Sequence, residues 1–88
     1  MYPIERIKVS KEYPNARIVT YTLISSAKEE RESYSVEICM LRGEEREVTI
    51  AEDVSSNGEA SERLLYLLAS ADAEPCHLYD ILEDLLPL

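Results

Sequence analysis

The spacing of apolar residues changes once along the chain, near residue 54, from every second residue to every third or fourth. The clearest alternation runs through residues 33–40, in which the apolar members are Tyr34, Val36, Ile38 and Met40. Alternation of this kind is typical of a β-strand with one buried face, whereas the later spacing is typical of amphipathic helices. The chain is therefore expected to form a sheet first and helices afterwards.

Three other segments of the first half have the composition of strands. Residues 17–24 are rich in β-branched side chains, which favour strands. Val48 and Ile50 alternate with polar residues, and residues 4–10 form a weaker pattern of the same kind. Together with the segment around Tyr34, they predict four strands.

The connections between these strands are short. YPN at 13–15 predicts a turn, AKEERE at 27–32 a polar hairpin loop, and RGEE a tight hairpin around Gly43. Short connections join antiparallel neighbours. Residues 1–54 are therefore predicted to form a four-stranded antiparallel meander.

Residues 55–88 have helical spacing, in two stripes. The first stripe comprises Ala60, Leu64, Leu67, Leu68 and Ala71, widened by Leu65, Tyr66 and Ala69. Ser56 and Glu59 predict a capping box at its start, with Asn57 as the alternative cap. The sequence DAEP ends the helix, because proline cannot continue it.

A second, shorter stripe comprises Leu78, Ile81, Leu82 and Leu85. Pro87 is expected to end this helix. The two helices are predicted to form an αα-hairpin on one face of the sheet. The chain, residues 1–88, is then a single α+β domain of two layers, ββββαα, with the sheet in 1–54 and the helices in 55–88.

The sheet face opposite the helices is also expected to carry apolar side chains, namely those of Ile18, Ile24, Cys39 and Leu41. Exposed apolar patches usually mark sites of association. We therefore expect a homodimer through this second face or through an edge strand.

The acidic residues are concentrated in the second part of the chain. The net charge is −9, and residues 51–88 contain nine acidic residues but only one basic residue, Arg63. Nucleic acids and anionic membranes require clustered Lys and Arg, so direct binding to either is not expected. A basic protein is the partner that this charge would suit.

The expected compartment is the cytoplasm. The start of the chain lacks the continuous apolar segment of a signal peptide. No stretch reaches the roughly 18 apolar residues of a membrane span. Cys39 and Cys76 do not form the pattern of a disulfide framework, so both thiols are expected to be reduced.

Four stretches, SYSVEI, GEEREVTI, DVSS and EPCHLYDILEDLL, follow one another within residues 33–86. In this order they resemble a small uncharacterised bacterial family that closes with a helix of pattern P-x-H-L-x-D-[VI]-x-E-D. The residues that match this pattern are Pro75, His77, Leu78, Asp80, Glu83 and Asp84. Ile81 stands where the pattern often has valine, and Tyr34-Ser35 replaces Tyr-Gly. The resemblance implies no activity, but it implies a structural role for the motif residues Pro75, His77, Leu78 and Asp80.

A catalytic or metal site is not expected. An enzyme using Cys76, His77 and Asp80 is an alternative, but neighbouring side chains diverge on a helix, and the chain has no Gly-rich loop. A single histidine and two distant cysteines do not make a zinc site, and Asp80 with Asp84 lacks the spacing of a calcium loop. We expect no cofactor.

The acids of the last helix raise the main functional question. Glu83 and Asp84 lie near its C-terminus, where the helix dipole disfavours negative charge. They are a solvated face, or they form a brace in which Asp80 and Asp84 pair with Arg63 or a sheet arginine, or they contact a partner. We expect a non-enzymatic interaction or regulatory module whose contact residues are Tyr79, Asp80, Glu83 and Asp84. The alternative is an acidic mimic of nucleic acid that inhibits a nucleic-acid-binding protein.

Overall fold

The computed structural model describes residues 3–28 and 30–85 and contains one open four-stranded antiparallel sheet with both helices on one face. The strands lie in chain order: β1 (Ile4–Tyr13), β2 (Arg17–Lys28), β3 (Arg31–Arg42) and β4 (Glu45–Ser55). Helix α1 (Gly58–Ser70), a 3₁₀ turn (Pro75–His77) and helix α2 (Leu78–Leu85) follow. The predicted ββββαα architecture of the α+β class is confirmed.

The strands β2 and β3 are longer than the sequence suggested. They pair from Arg17 with Arg42 to Lys28 with Arg31, so the predicted loop at 27–32 is wrong. Polar residues continue β3, since Arg31 donates to Asp53 and Glu32 accepts the Tyr34 hydroxyl. Ser33 is 3% exposed, and its Oγ donates to Oδ1 of Asp53 at 2.7 Å. Alternation of apolar residues cannot identify a strand segment that consists of polar residues.

The core lies between α1 and the face of the sheet that we call the inner face. The sheet contributes Val19, Tyr21, Leu23, Val36, Ile38, Met40 and Ala51. The helical part contributes Leu64, Leu65, Leu68, Ala69, Ala73, Leu78 and Leu82. At the centre, the fully buried Tyr21 donates its hydroxyl to the carbonyl of Ala73 at 2.8 Å. Burial raises the pKa of this hydroxyl, which therefore stays protonated and able to donate.

Helix α1 begins at a different cap from the one we favoured. Oδ1 of Asn57 accepts the backbone N–H of Ala60 at 3.1 Å, so Asn57 is the N-cap and the capping box of Ser56 with Glu59 is wrong. The hydroxyl of Ser61 donates to the Asn57 carbonyl at 2.8 Å. That hydrogen bond allows a serine to be fully buried one turn into the helix.

The buried stripe of α1 is rotated from the predicted one. The residues that face the sheet are Ser61, Leu64, Leu65, Leu68 and Ala69. Leu67 and Tyr66 are 48% and 51% exposed, and Ala71 is also exposed. Because leucines lie on almost every side of this helix, the spacing of its apolar residues fitted two different buried stripes equally well. In α2 the prediction holds better, since Leu78 and Leu82 are buried and Ile81 is half-buried, whereas Leu85 is exposed. Pro87 lies outside the described residues.

The β3–β4 hairpin decides which face of the sheet receives Val48 and Ile50. Arg42 pairs with Glu45 across a two-residue connection, as the RGEE sequence predicted. In this register Val48 lies opposite Cys39 and Ile50 opposite Glu37, on the side away from the helices. They join Ile18, Ile24, Cys39 and Leu41 on what we call the outer face. No helix or strand within residues 3–28 and 30–85 covers this face.

A cluster of charged and hydroxyl groups, which we call the clasp, ties the end of α1 to β1. Nζ of Lys11 donates to the Ala69 carbonyl at 2.7 Å and to Oδ1 of Asp72 at 2.5 Å. The Tyr13 hydroxyl donates to the same carboxylate. The last turn of α1 has no basic residue of its own. Lys11 therefore supplies the cation that the dipole favours at a helix C-terminus.

The clasp also sets the ionisation of its members. The hydrogen bond from Lys11, and then that from Tyr13, holds the pKa of Asp72 below its ordinary value. The same contact with Asp72 raises the pKa of Lys11. Arg17 extends the cluster, since its guanidinium lies 4.4 Å from the centre of the Tyr13 ring and 3.4 Å from Oε2 of Glu74. The turn after α1 is thereby held against the β1–β2 hairpin.

Replacing the observed cap should be costlier than replacing the residue beside it. Asn57→Ala removes the acceptor for the Ala60 N–H and is expected to lower the free energy of unfolding by about 1 kcal/mol. Ser56→Ala removes a hydroxyl of the same region that does not cap the helix, and should leave stability unchanged. Urea denaturation of both variants would test this, and equal losses would contradict the assignment of the cap.

The clasp predicts a pH dependence with a definite sign. Because the folded-state pKa of Asp72 lies below its ordinary value of 3.8, the stability that it contributes is present above that pH and lost as the pH falls through the folded-state pKa. Asp72→Asn should therefore be less stable than wild type at pH 6 and should lose less stability on acidification.

Urea denaturation at a series of pH values between neutrality and the acid limit of the folded state would measure this effect. Glu44→Gln is the control, because Glu44 is exposed at the β3–β4 turn and lies outside the clasp, and it should follow the wild-type curve. If the free energy of unfolding fell equally with pH in Asp72→Asn and in wild type, the ionised Asp72 carboxylate would not stabilise the folded state.

Candidate protein-docking groove

Helix α2 and the free edge of β4 enclose a concave space of about 270 Å³, which we call the β4–α2 groove. Its floor is apolar and is formed by Ala51, Val54 and Leu82. Its rim is polar and is formed by Glu52, Asp53, Tyr79 and Glu83. An apolar floor between carboxylates suits a segment that carries both apolar and basic side chains.

Tyr79 connects the two walls of the groove. Its hydroxyl donates to the Ile50 carbonyl at 2.8 Å, although the residue is 56% exposed. Within the part of the chain that the structure describes, strand β4 pairs with β3 alone, so this carbonyl belongs to an edge strand. The hydrogen bond from Tyr79 makes this carbonyl unavailable for pairing with a strand of another molecule. The tyrosine ring stays available at the surface.

An irregularity in β4 shapes the other wall. The β3–β4 register shifts between Tyr34 and Val36, and Asp53 adopts a positive φ of 51° at this point. The Asp53 carboxylate accepts the Ser33 hydroxyl at 2.7 Å and lies 3.2 Å from a guanidinium nitrogen of Arg31. The Asp53 carboxylate is therefore bonded to side chains of β3, and Glu52 is exposed at the groove.

The acids predicted on α2 divide into two groups. Glu83 lines the groove beside Tyr79, and Asp80 and Asp84 are exposed elsewhere on the same helix. Asp80 stands in the first turn, where the helix dipole favours it, and no basic residue stands in the last turn. Glu52 joins this site from β4 and was missed, because no spacing pattern in the sequence connects a strand residue with a distant helix.

The proposed arginine brace is wrong for the described part of the chain. Arg63 bonds to Glu59 one turn earlier, at 2.7 Å, and both side chains are highly exposed. The sheet arginines that form ion pairs, Arg17 and Arg31, contact Glu74 and Asp53. Among residues 3–28 and 30–85, Asp80, Glu83 and Asp84 make no ion pair.

The 3₁₀ turn before α2 places Cys76 and His77 at the surface. Pro75 and Leu78 are buried, and Nδ1 of His77 accepts the backbone N–H of Glu74 at a long 3.5 Å. This histidine nitrogen therefore caps the turn instead of facing a thiol. Within the described ranges, no group of three His, Cys, Asp or Glu side chains is arranged to hold a metal ion.

These features define a class: a two-layer α+β protein with an open sheet and an acidic groove beside its last helix. The chain belongs to the family of unknown function DUF6514, which matches residues 1–88 and so extends beyond the segment that carried the resemblance. No curated protein and no solved structure is significantly similar to the chain. Neither helix of the described chain has the length and apolar character needed to cross a membrane.

The bond between Tyr79 and β4 can be tested with a second tyrosine as the control. Tyr79→Phe removes the hydrogen bond to the Ile50 carbonyl and should lower the free energy of unfolding by about 0.5–1.5 kcal/mol. Tyr66 has similar exposure on α1, so Tyr66→Phe should have no effect. If thermal and urea denaturation gave the same result for both variants, the Tyr79 bond would not stabilise the groove.

Proposed function

We propose that this chain is a small non-enzymatic interaction module that binds a basic, amphipathic segment of a partner protein in the β4–α2 groove. The observation that supports it is the combination of an apolar floor with the exposed carboxylates of Glu52 and Glu83, which form no ion pair in the described chain. Apolar side chains of the partner would cover Val54 and Leu82. Lysines or arginines beside them would approach Glu52 and Glu83.

The charge distribution would guide such a partner to the groove. Residues 51–88 contain nine acidic residues, and their one basic residue, Arg63, is bonded to Glu59. A field of one sign accelerates association with an oppositely charged surface and disfavours wrong partners. Asp80 and Asp84 would contribute to this field without entering the groove. Binding would weaken with added salt, because exposed charges are screened.

The cytoplasm is the compartment that we propose for this function. Cys39 lies on the outer face of the sheet and Cys76 on the 3₁₀ turn, and both thiols are free. A reducing compartment keeps such thiols free, and an oxidising one would expose Cys76 to disulfide exchange.

Affinity capture with matched variants would test the proposal. The immobilised protein would be exposed to a lysate of the cells that produce it, at low and at high salt. The α2 variant, Asp80→Asn with Glu83→Gln and Asp84→Asn, removes the three carboxylates of α2, of which that of Glu83 lines the groove. The hairpin variant, Glu44→Gln with Glu45→Gln and Glu47→Gln, removes three exposed carboxylates at the β3–β4 turn and has the same net charge.

We expect wild type and the hairpin variant to retain the same protein at low salt, and the α2 variant to lose it. Retention by the α2 variant, or equal loss by both variants, would contradict docking through α2. A retained nucleic-acid-binding protein that free nucleic acid displaces would instead favour the mimic of nucleic acid. Circular dichroism would show beforehand that both variants are folded.

A further inference from the structure

We propose that the outer face of the sheet is the interface of a homodimer, in which a second copy of the chain packs its own outer face against the first. The apolar members of this face are Ile18, Ile24, Cys39, Leu41, Val48 and Ile50. Leu41 and Val48 are 40% and 41% exposed although both lie within strands. Exposed apolar side chains on an open sheet face are normally covered by a second layer.

The outer face has the area that a specific dimer requires. The four strands contain 10, 12, 12 and 11 residues. At about 3.3 Å per residue and about 4.8 Å between strands, the face measures roughly 19 by 35 Å. Two copies would remove about 1,300 Å² from solvent, which lies within the range of specific protein interfaces.

The charges of the chain favour this face over the helix layer for self-association. Residues 56–85, which contain the two helices, include seven acidic residues and one basic residue, so two helix layers would repel each other. The outer face carries charges of both signs instead, among them those of Glu5, Lys8, Glu12, Glu37 and Arg46. Mixed charge allows complementary contacts between two identical faces.

One row across the sheet shows such complementarity. Glu12, Ile18, Leu41 and Arg46 follow one another in register from β1 to β4. Three strand spacings, roughly 14 Å, separate Glu12 from Arg46, so the two cannot pair within one chain. A two-fold axis parallel to the strands, midway between β2 and β3, would lay β1 over the partner's β4. Each Glu12 would then face the partner's Arg46, and each Ile18 the partner's Leu41.

The other two-fold arrangement fits less well. An axis perpendicular to the strands, centred on the same apolar rows, would place Leu41 over the partner's Glu37. It would also place Arg46 over the partner's Ile50. Both contacts bury a charge against an apolar side chain, which is unfavourable. The axis along the strands makes one such contact, Lys8 over the partner's Ile50, against two here, and it also places Ile18 over the partner's Leu41, so it is the better fit.

Sedimentation equilibrium over a concentration series would test the interface. We expect wild type to dimerise, and Val48→Lys to raise the dimer dissociation constant at least about 100-fold, because each dimer would bury two unpaired ammonium groups. Leu67→Lys introduces the same charge at a residue of similar exposure on α1 and should not change the dissociation constant. A wild-type protein that stays monomeric at about 100 µM, an affinity weaker than specific dimers show, would overturn the proposal.

A charge swap would test the orientation. Glu12→Arg and Arg46→Glu should each weaken the dimer about tenfold, because each opposes like charges at both ends of the row. The double variant should restore wild-type affinity. Arg63→Glu on α1 changes the net charge by the same amount as Arg46→Glu and should leave the dimer unchanged. If both single variants weaken the dimer and the double variant fails to restore it, the proposed axis is wrong.

The two cysteines provide a native reporter of the same interface. Cys39 would lie inside the dimer, and Cys76 would stay exposed on the 3₁₀ turn. Alkylation of Cys39 should therefore slow as the protein concentration rises through the dissociation constant, while that of Cys76 stays constant. A dimer that leaves Cys39 equally reactive would associate elsewhere and would overturn the proposal. The α2 variant should dimerise normally, so the failure of partner docking and the failure of dimerisation can be told apart.

Discussion

The pairing of β2 with β3 determines which side chains of this protein lie inside. The two strands pair without interruption over their full length, and successive side chains of a strand point to opposite faces. This register places Tyr21 beside Ile38 on the inner face and Thr20 beside Cys39 on the outer face. A slip of β3 by one residue would turn its outer side chains, among them that of Glu37, toward α1 and would turn Val36 and Ile38 away from the core. The clasp and the groove depend on this choice, because both are built on strands that pair with these two.

The sequence predicted the architecture because its strongest signals were local. The alternation around Ile38 and the short hairpin at Gly43 each involve residues within a few positions of one another, and both predictions were correct. The errors arose where the deciding contact was distant or where several local choices had similar energies. The start of β3 is polar, and there Arg31 donates to Asp53 and Glu32 accepts the Tyr34 hydroxyl. Asn57 competed with Ser56 as a cap of equal quality.

For the same reason, the sequence predicted only the α2 side of the groove. Tyr79 and Glu83 share one side of α2, and their spacing alone brings them together. Glu52 reaches them only because the register shift in β4 and the Tyr79 hydrogen bond bring the edge of the sheet against the helix. A tertiary contact of this kind has no periodicity, so residue spacing cannot reveal it.

The C-terminal ends of the two helices differ in whether a described residue supplies a cation there. At the end of α1, Lys11 reaches across from β1, binds the Ala69 carbonyl and neutralises Asp72. At the end of α2, Glu83 and Asp84 face the negative end of the dipole, and no described residue supplies a cation. Each acid so placed costs about 0.3–1 kcal/mol. A lysine or arginine of a partner at this end would relieve that cost in the way that Lys11 does for α1, so unfavourable charge in the free chain would become part of the binding energy.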